Sequence, residues 1–177
     1  LLEGHFLLSS GLHSSKYVQC AKLLSKPFKS ALFCSSLAEK IKKKFINIDL
    51  ILAPAMGGIV IGYEIGRLLK VETIFSERIE KKFVLRRGFS IPKDAKVLIV
   101  EDVITTGKSS LENVELIEKA KAEIIGYACL IDRSNGNSSI KQKIVSQVEL
   151  TIPTYTTKNL PEHLALIKAI KPGSRDI

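Results

Sequence analysis

A chain of 177 residues, 45% hydrophobic and 25% charged, can bury one sizeable core, and its composition excludes collagen, coiled coil and wholesale disorder. Its 27 Lys and Arg against 18 Asp and Glu leave a formal charge of +9, which points to an anionic partner: nucleic acid, acidic lipid or a phosphorylated metabolite. The longest uncharged stretch, residues 50–63, is interrupted by Pro54, Gly57 and Gly58 and falls short of the roughly 20 apolar residues of a membrane-spanning helix.

No basic segment followed by an apolar run opens the sequence, so no secretory signal is expected. Leu rather than Met at position 1 leads us to expect preceding residues. Residues 1–26 mix short apolar runs with Gly and Ser and read as strands and turns. From Lys29 to Phe45, apolar residues at Leu32, Phe33, Leu37, Ile41 and Phe45 have helical spacing. Lys40, Lys42, Lys43 and Lys44 lie near its end, where cations complement the helix dipole; a solvated helix end is preferred to a nucleic-acid patch.

A regular alternation follows. Asp49–Ala53 reads as a buried strand, Gly58–Leu69 as a helix with a small-residue face (Gly58, Gly62, Gly66), and Glu72–Ser76 as a strand. Glu77–Asp94 is basic, with little periodicity, and is expected to be a long functional loop. Lys96–Glu101 is the clearest strand, Lys108–Ala120 a helix with Leu111, Val114 and Ile117 inward, and Ile124–Ile131 a strand. Gln147–Ile152 reads as a further strand and Pro161–Ile170 as a final helix. Apolar strands alternating with amphipathic helices predict an α/β fold: a mostly parallel sheet covered on both faces. Cys20, Cys34 and Cys129 are odd in number and far apart, and His5, His13 and His163 do not cluster with them. Free, buried thiols in a reducing cytoplasm are expected, not a disulfide framework or zinc site.

The chemistry concentrates in Val97 to Ser110, a buried strand ending in Glu101 and Asp102, then a hydroxyl-rich turn and a helix start. In an open α/β sheet, ligands bind beyond the carboxyl ends of the strands. Backbone N–H groups at a helix start suit a phosphate, Thr105, Thr106, Ser109 and Ser110 add hydroxyls, and Gly107 admits a close approach. The two acids suit sugar hydroxyls or developing positive charge instead. Together they describe a reader of ribose 5-phosphate. Gly107-Lys108-Ser109 is not a P-loop end, because Asp102 stands where that pattern needs Gly. Gly57, Gly58 and Gly62 do not form a dinucleotide fingerprint, because Ile59 occupies its middle glycine position. Two acids directly after an apolar strand would cost desolvation unless a ligand or partner used them.

The segment Glu101-Asp102-Val-Ile-Thr-Thr-Gly-Lys-Ser109 resembles the phosphoribosyl-diphosphate motif of the type I phosphoribosyltransferase family. Residues 4–20, Pro54–Ile59, Leu85–Phe89, Leu130–Ser134 and Pro172–Arg175 resemble its orotate-using branch, so the likeness spans nearly the whole chain. The resemblance implies one domain over 1–177, with 1–28 as a lid (hood) and 77–95 as a mobile loop. It implies transfer of phosphoribose from 5-phosphoribosyl 1-diphosphate to N1 of orotate, releasing diphosphate, in pyrimidine nucleotide synthesis. It implies catalytic roles for Glu101, Asp102, Lys82 and Arg86. Val103, Ile104, Thr105, Thr106, Gly107, Lys108 and Ser109 would join the two acids around the phosphoribosyl group, the turn wrapping the 5-phosphate. Met56, Gly57, Arg78, Lys81, Lys82, Arg86 and Arg87 would serve the diphosphate, and Thr105, Arg133 and Ser10 orotate. An Arg fork suits orotate's planar carboxylate. Mg2+ would be held mainly through the diphosphate and ribose, with no direct protein ligand.

The resemblance further implies a cytoplasmic homodimer whose mobile loop acts across subunits, with no membrane or nucleic-acid partner. Gly57 and Ser9 or Ser10 stand about where many members carry lysines, so Arg86 and Arg87 are expected to replace those cations. Lys108 stands where a small residue is commoner. A purine phosphoribosyltransferase, or an RNA-binding regulator on the same fold, are the alternatives. Aromatics make up 6% of the chain with no Trp, and the basic loop holds only Phe83 and Phe89, which disfavours the RNA reading.

Overall fold

The N-terminal runs pair as an antiparallel hairpin, β1 (Leu2–Leu7) with β2 (His13–Tyr17). The computed structural model describes residues 1–8 and 10–172, in two compact units. One unit contains the hairpin together with the chain from Thr151 onward; the other runs from Cys20 to Leu150.

The larger unit begins with a short helix, α1 (Cys20–Leu24), in a region expected to hold only strands and turns. In α2 (Pro27–Lys44), Pro occupies the first turn, where its missing N–H costs nothing. Its buried face is Ser30, Cys34, Leu37, Ala38 and Ile41. Leu32 and Phe33 belong to the apolar spacing but turn outward, 74% and 41% exposed, because small residues occupy the contact line. Next come β3 (Leu50–Pro54), α3 (Gly57–Leu69), β4 (Glu72–Ile79), β5 (Lys82–Leu85) and β6 (Lys96–Ile104). They are followed by α4 (Lys108–Leu111), α5 (Val114–Lys119), β7 (Glu123–Asp132) and β8 (Ile144–Glu149).

The six strands β3–β8 form one sheet in the order β5-β4-β3-β6-β7-β8. Every pairing is parallel except β4 with β5. Alternation along the central strands supplies two cores. Ile51, Leu98, Val100, Ala128 and Leu130 face α2 and α3, while Leu50, Leu52, Val97, Ile99, Tyr127 and Cys129 join Ile117 of α5 in the other cluster. This is the predicted α/β architecture with both faces covered.

Three elements differ from expectation. The basic stretch 77–94 is not wholly loop: β4 runs on to Ile79 and doubles back as β5, with Arg78 opposite Phe83. Glu80 and Lys81 turn the corner with φ of 47° and 67°, the paired positive angles of a type I′ hairpin turn. The helix expected over 108–120 is broken between α4 and α5. Asn113 Nδ2 takes the Ser109 carbonyl that the Asn113 backbone N–H would use, and that N–H moves to Ser110 instead. Consequently Ser110, Asn113 and Ile117 are buried, while Leu111 and Val114 are only half-buried. The last strand lies earlier than expected, at Ile144–Glu149.

Lys40 has a structural use. Its Nζ donates to the Ser146 and Gln147 carbonyls, 3.1 and 2.8 Å away, on the edge strand β8. Lys42 pairs with Glu39 at 2.9 Å.

In the smaller unit, a helical turn α6 (Glu162–Ala165) is all that forms of the helix expected over 161–170. The segment returns to the hairpin through His5, which is 4% exposed. The Ile167 carbonyl can only accept, so His5 Nδ1 carries the hydrogen of their 2.7 Å bond. His5 Nε2 is hydrogen-bonded to His13 Nδ1, also at 2.7 Å.

Tyr127 is fully buried on β7, and among the described residues its hydroxyl has no hydrogen-bond partner. Tyr127→Phe should therefore raise stability by about 1 kcal/mol, read as a higher denaturation midpoint, because it removes a desolvated hydroxyl.

Candidate active site

Between β3 and β6 the chain connections diverge: β3 leads outward to β4, β6 outward to β7. Such a switch point leaves a crevice at the carboxyl ends of the two strands. Residues Pro54–Gly58 leave one strand there and Thr105–Gly107 leave the other, so two segments singled out from sequence meet. The Ala55–Met56 peptide bond is cis. Gly57 lies against Asp102 so closely that an added Cβ would stand 2.6 Å from Asp102 Oδ1.

The helix that follows β3 is seated by the same device. A Cβ at Gly62 would be 2.6 Å from Ala53 Cβ, and one at Gly58 would be 2.8 Å from the Val100 carbonyl. The predicted small-residue face thus lets α3 lie directly on β3 and β6.

Strand alternation separates the two acids. Glu101 continues the face of Val97 and Ile99, is 7% exposed, and accepts from Ser110 Oγ at 3.2 Å. Asp102 continues the face of Leu98 and Val100, stands half-buried beside Gly57, and accepts the Val103 N–H at 2.9 Å. The turn beyond exposes Thr105, Thr106 and Lys108, with Val103 and Ser109 half-buried and Ile104 buried. Gly107 holds φ at 79° and packs on Ile140, a conformation that suits glycine. Ser139 N–H donates to the Thr106 carbonyl at 3.0 Å. Thr106, Lys108, Leu111, Glu112 and Ser139 line an open cavity of about 580 Å3.

Arg133 follows β7, and its backbone N–H donates to the Ile104 carbonyl at 2.8 Å, which places it beside the turn. Met56 is exposed at the head of α3. The arginines of the basic hairpin are paired within their own unit. Arg78 pairs with Glu112, donates to the Lys81 carbonyl and lies over the Phe83 ring. Arg86 and Arg87 both turn to Glu77, at 3.8 and 2.8 Å. Lys81 and Lys82 are exposed. The guanidiniums assigned to the diphosphate thus rest on carboxylates of their own unit. Ser10 lies in the other unit, between β1 and β2, with its Oγ accepting from Leu12 N–H. Ser9, Gly173, Ser174 and Arg175 lie outside the described residues. Sequence reading missed Ser76 and Asn113, which are buried behind the turn. The signal for Asn113 was its place four residues before inward-facing Ile117.

A mostly parallel sheet with an acid-tipped strand and a hydroxyl-rich turn at its switch point is suited to a protein that binds a sugar phosphate. A model of the phosphoribosyl transferase domain matches residues 29–158. The chain is 47% identical to the orotate phosphoribosyltransferase of Parvibaculum lavamentivorans, over 100% of this chain and 92% of that one. It is 43% identical to that of Carboxydothermus hydrogenoformans, over 99% and 92%. The chain therefore belongs to the phosphoribosyl transferase family and, within it, to the orotate phosphoribosyltransferases. The crystal structure of the orotate phosphoribosyltransferase from Aeropyrum pernix superposes with a TM-score of 0.74 at 24% identity, covering 84% of this chain and 87% of that one. An adenine phosphoribosyltransferase reaches 0.67 at 19%, covering 78% and 89%. At these identities the likeness is one of fold, and the full-length sequence identity distinguishes the orotate branch.

The three thiols are buried and free. Burial, with Asp102 adding to it, pushes Cys20 up to about 12, and burial pushes Cys34 up to about 11. Both raised values favour the folded thiol over its unfolded counterpart of about 9. The stabilisation is complete below pH 9 and is lost as the pH rises from there toward 11 and 12. Native protein at pH 8 should resist alkylation by iodoacetamide, and labelling should follow unfolding. Rapid labelling of folded protein would contradict this.

Proposed function

We propose that this chain transfers the phosphoribosyl group of 5-phosphoribosyl 1-diphosphate to N1 of orotate. The bond from the anomeric carbon to the diphosphate oxygen breaks, the bonding pair leaves with diphosphate, and the N1–carbon bond forms. The close approach of Gly57 to Asp102 supports this reading, because residues 54–58, read as the diphosphate loop, then lie against the acid read as serving the ribose. Asp102 and Glu101 hold the ribose hydroxyls and oppose the positive charge that develops on the sugar. Backbone N–H groups and hydroxyls from Val103 to Ser109 enclose the 5-phosphate, with Lys108 adding charge from the cavity wall. Thr105 and Arg133 meet orotate, Arg133 through its carboxylate.

Among the described residues no group of three or more His, Cys, Asp or Glu side chains gathers. That donor set would suit a Mg2+ that arrives with the diphosphate and ribose near Glu101 and Asp102 better than one held wholly by protein. There Mg2+ would supply charge neutralisation for the departing diphosphate. Arg78, Arg86 and Arg87 exchange Glu112 and Glu77 for the diphosphate as the basic hairpin and following loop close with Lys81 and Lys82, excluding water from the activated sugar.

The active form is a homodimer in the cytoplasm. Met56, Val60 and Tyr63 form an exposed apolar row at helical spacing, 76%, 52% and 67% exposed, suited to a second copy. No helix among the described residues is long and apolar enough to cross a membrane. Buried free thiols support a reducing compartment.

Loss of orotate in the presence of 5-phosphoribosyl 1-diphosphate and Mg2+ tests the activity. Turnover of adenine, hypoxanthine or uracil but not orotate would overturn the base assignment, and no turnover of any base would overturn the reaction. Asp102→Asn should lower kcat by about 100-fold with the fold intact, as loss of one preorganised electrostatic group does. Tyr63→Glu should shift the sedimenting species from dimer to monomer; an unchanged species removes this face from the interface.

A further inference from the structure

Ser76 and Asn113 are both fully buried, and the roles assigned above use neither. Their orientation is determined by chemistry. The Ser109 carbonyl can only accept, so the group facing it at 2.9 Å is the Asn113 amide nitrogen. Asn113 Oδ1 therefore faces Ser76, and the Ser76 hydroxyl must donate to it. The Ser76 carbonyl in turn accepts the Ala55 N–H at 2.8 Å. Ala55 is the first residue beyond β3, and Ser109 closes the turn beyond β6.

A relay buried at its centre thus links the two loops: Ala55 N–H to the Ser76 carbonyl, the Ser76 hydroxyl to Asn113, and Asn113 to the Ser109 carbonyl, with Ser76 itself joining the first two bonds. Its cost supports a specific use. Asn113 gives up the regular helical bond to Ser109 and splits the helix in two. An apolar residue would continue that helix and pack against Ile117 without burying an amide. What the amide adds is a directional bond to the turn, made from a point anchored on β4.

We propose that Asn113 is a positioning residue that, through Ser76, holds the 5-phosphate turn at a set distance from the diphosphate loop. The inference rests on the reading of Pro54–Gly58 and Val103–Ser109 as the two phosphate-binding segments. Both ends of one substrate are then gauged by this relay, so loosening it weakens 5-phosphoribosyl 1-diphosphate more than orotate, which meets the turn only at Thr105.

Asn113→Leu keeps the approximate volume and removes both bonds, whereas Ser76→Ala cuts the relay one step earlier and changes little bulk. Steady-state kinetics, with calorimetric titration of 5-phosphoribosyl 1-diphosphate and Mg2+, are to be measured for wild type, each single variant and the double. Each single variant should raise KM and Kd for 5-phosphoribosyl 1-diphosphate about 10-fold, as a small misplacement of binding groups does. KM for orotate should change less than about 2-fold, and the double variant should be no weaker than the weaker single, because both interrupt one relay. Folded variants with unchanged KM for 5-phosphoribosyl 1-diphosphate would overturn the proposal, as would equal losses for both substrates or additive effects. If Asn113→Leu does not fold, Ser76→Ala decides the matter by the same two constants. Wild-type protein that fails to bind 5-phosphoribosyl 1-diphosphate would overturn the functional reading itself, a result distinct from silent variants.

Discussion

The site depends on how closely two backbones approach each other. β3 and β6 are parallel neighbours whose exits diverge, and the helix after β3 must lie down at once beside the acid-bearing strand. It does so on glycine. Gly58 rests on the Val100 carbonyl, Gly62 on Ala53, and Gly57 on the Asp102 carboxylate. Side chains at these points would lift α3 and carry residues 54–58 away from Asp102. Missing Cβ atoms thus set a loop height, and loop height brings this loop and the Asp102 carboxylate together at the head of the hydroxyl-rich turn.

The second constraint is charge, and the structure distributes the +9 unevenly. Lys40 serves edge-strand carbonyls and Lys42 serves Glu39, so part of the helix-end surplus does structural service. Arg86 and Arg87 share Glu77 while more than half exposed. Pairs whose cation is exposed in this way are worth about 1 kcal/mol, so they hold the guanidiniums on Glu77 only weakly. The acidic strand end stays apart from them, with Glu101 tied to Ser110 and Asp102 to the backbone of Val103.

Legibility followed the range of the interactions. The Lys96–Glu101 strand, the glycine face of α3 and the Glu101–Ser109 motif are patterns within one local segment, and the structure contains all three. The β4–β5 hairpin was hidden because Glu80 and Lys81 adopt left-handed angles that sequence associates with Asn and Gly. The outward turn of Leu32 was hidden because Cys34 and Ala38 fit the contact line better than their hydrophobicity suggests. The break at Asn113 was hidden because its partner, Ser76, is 37 residues away.

By itself, the sequence determined the two-sided α/β sheet, the acid-tipped strand with its phosphate-suited turn, and the family, since each rests on periodicity or on contiguous residues. Only the tertiary structure decided that Glu101 and Asp102 look to opposite faces of the sheet, that the basic arginines rest on Glu77 and Glu112, and that a buried relay joins the two loops. Those facts depend on which strands become neighbours and how near their backbones come, and such distances arise only when the whole sheet is assembled.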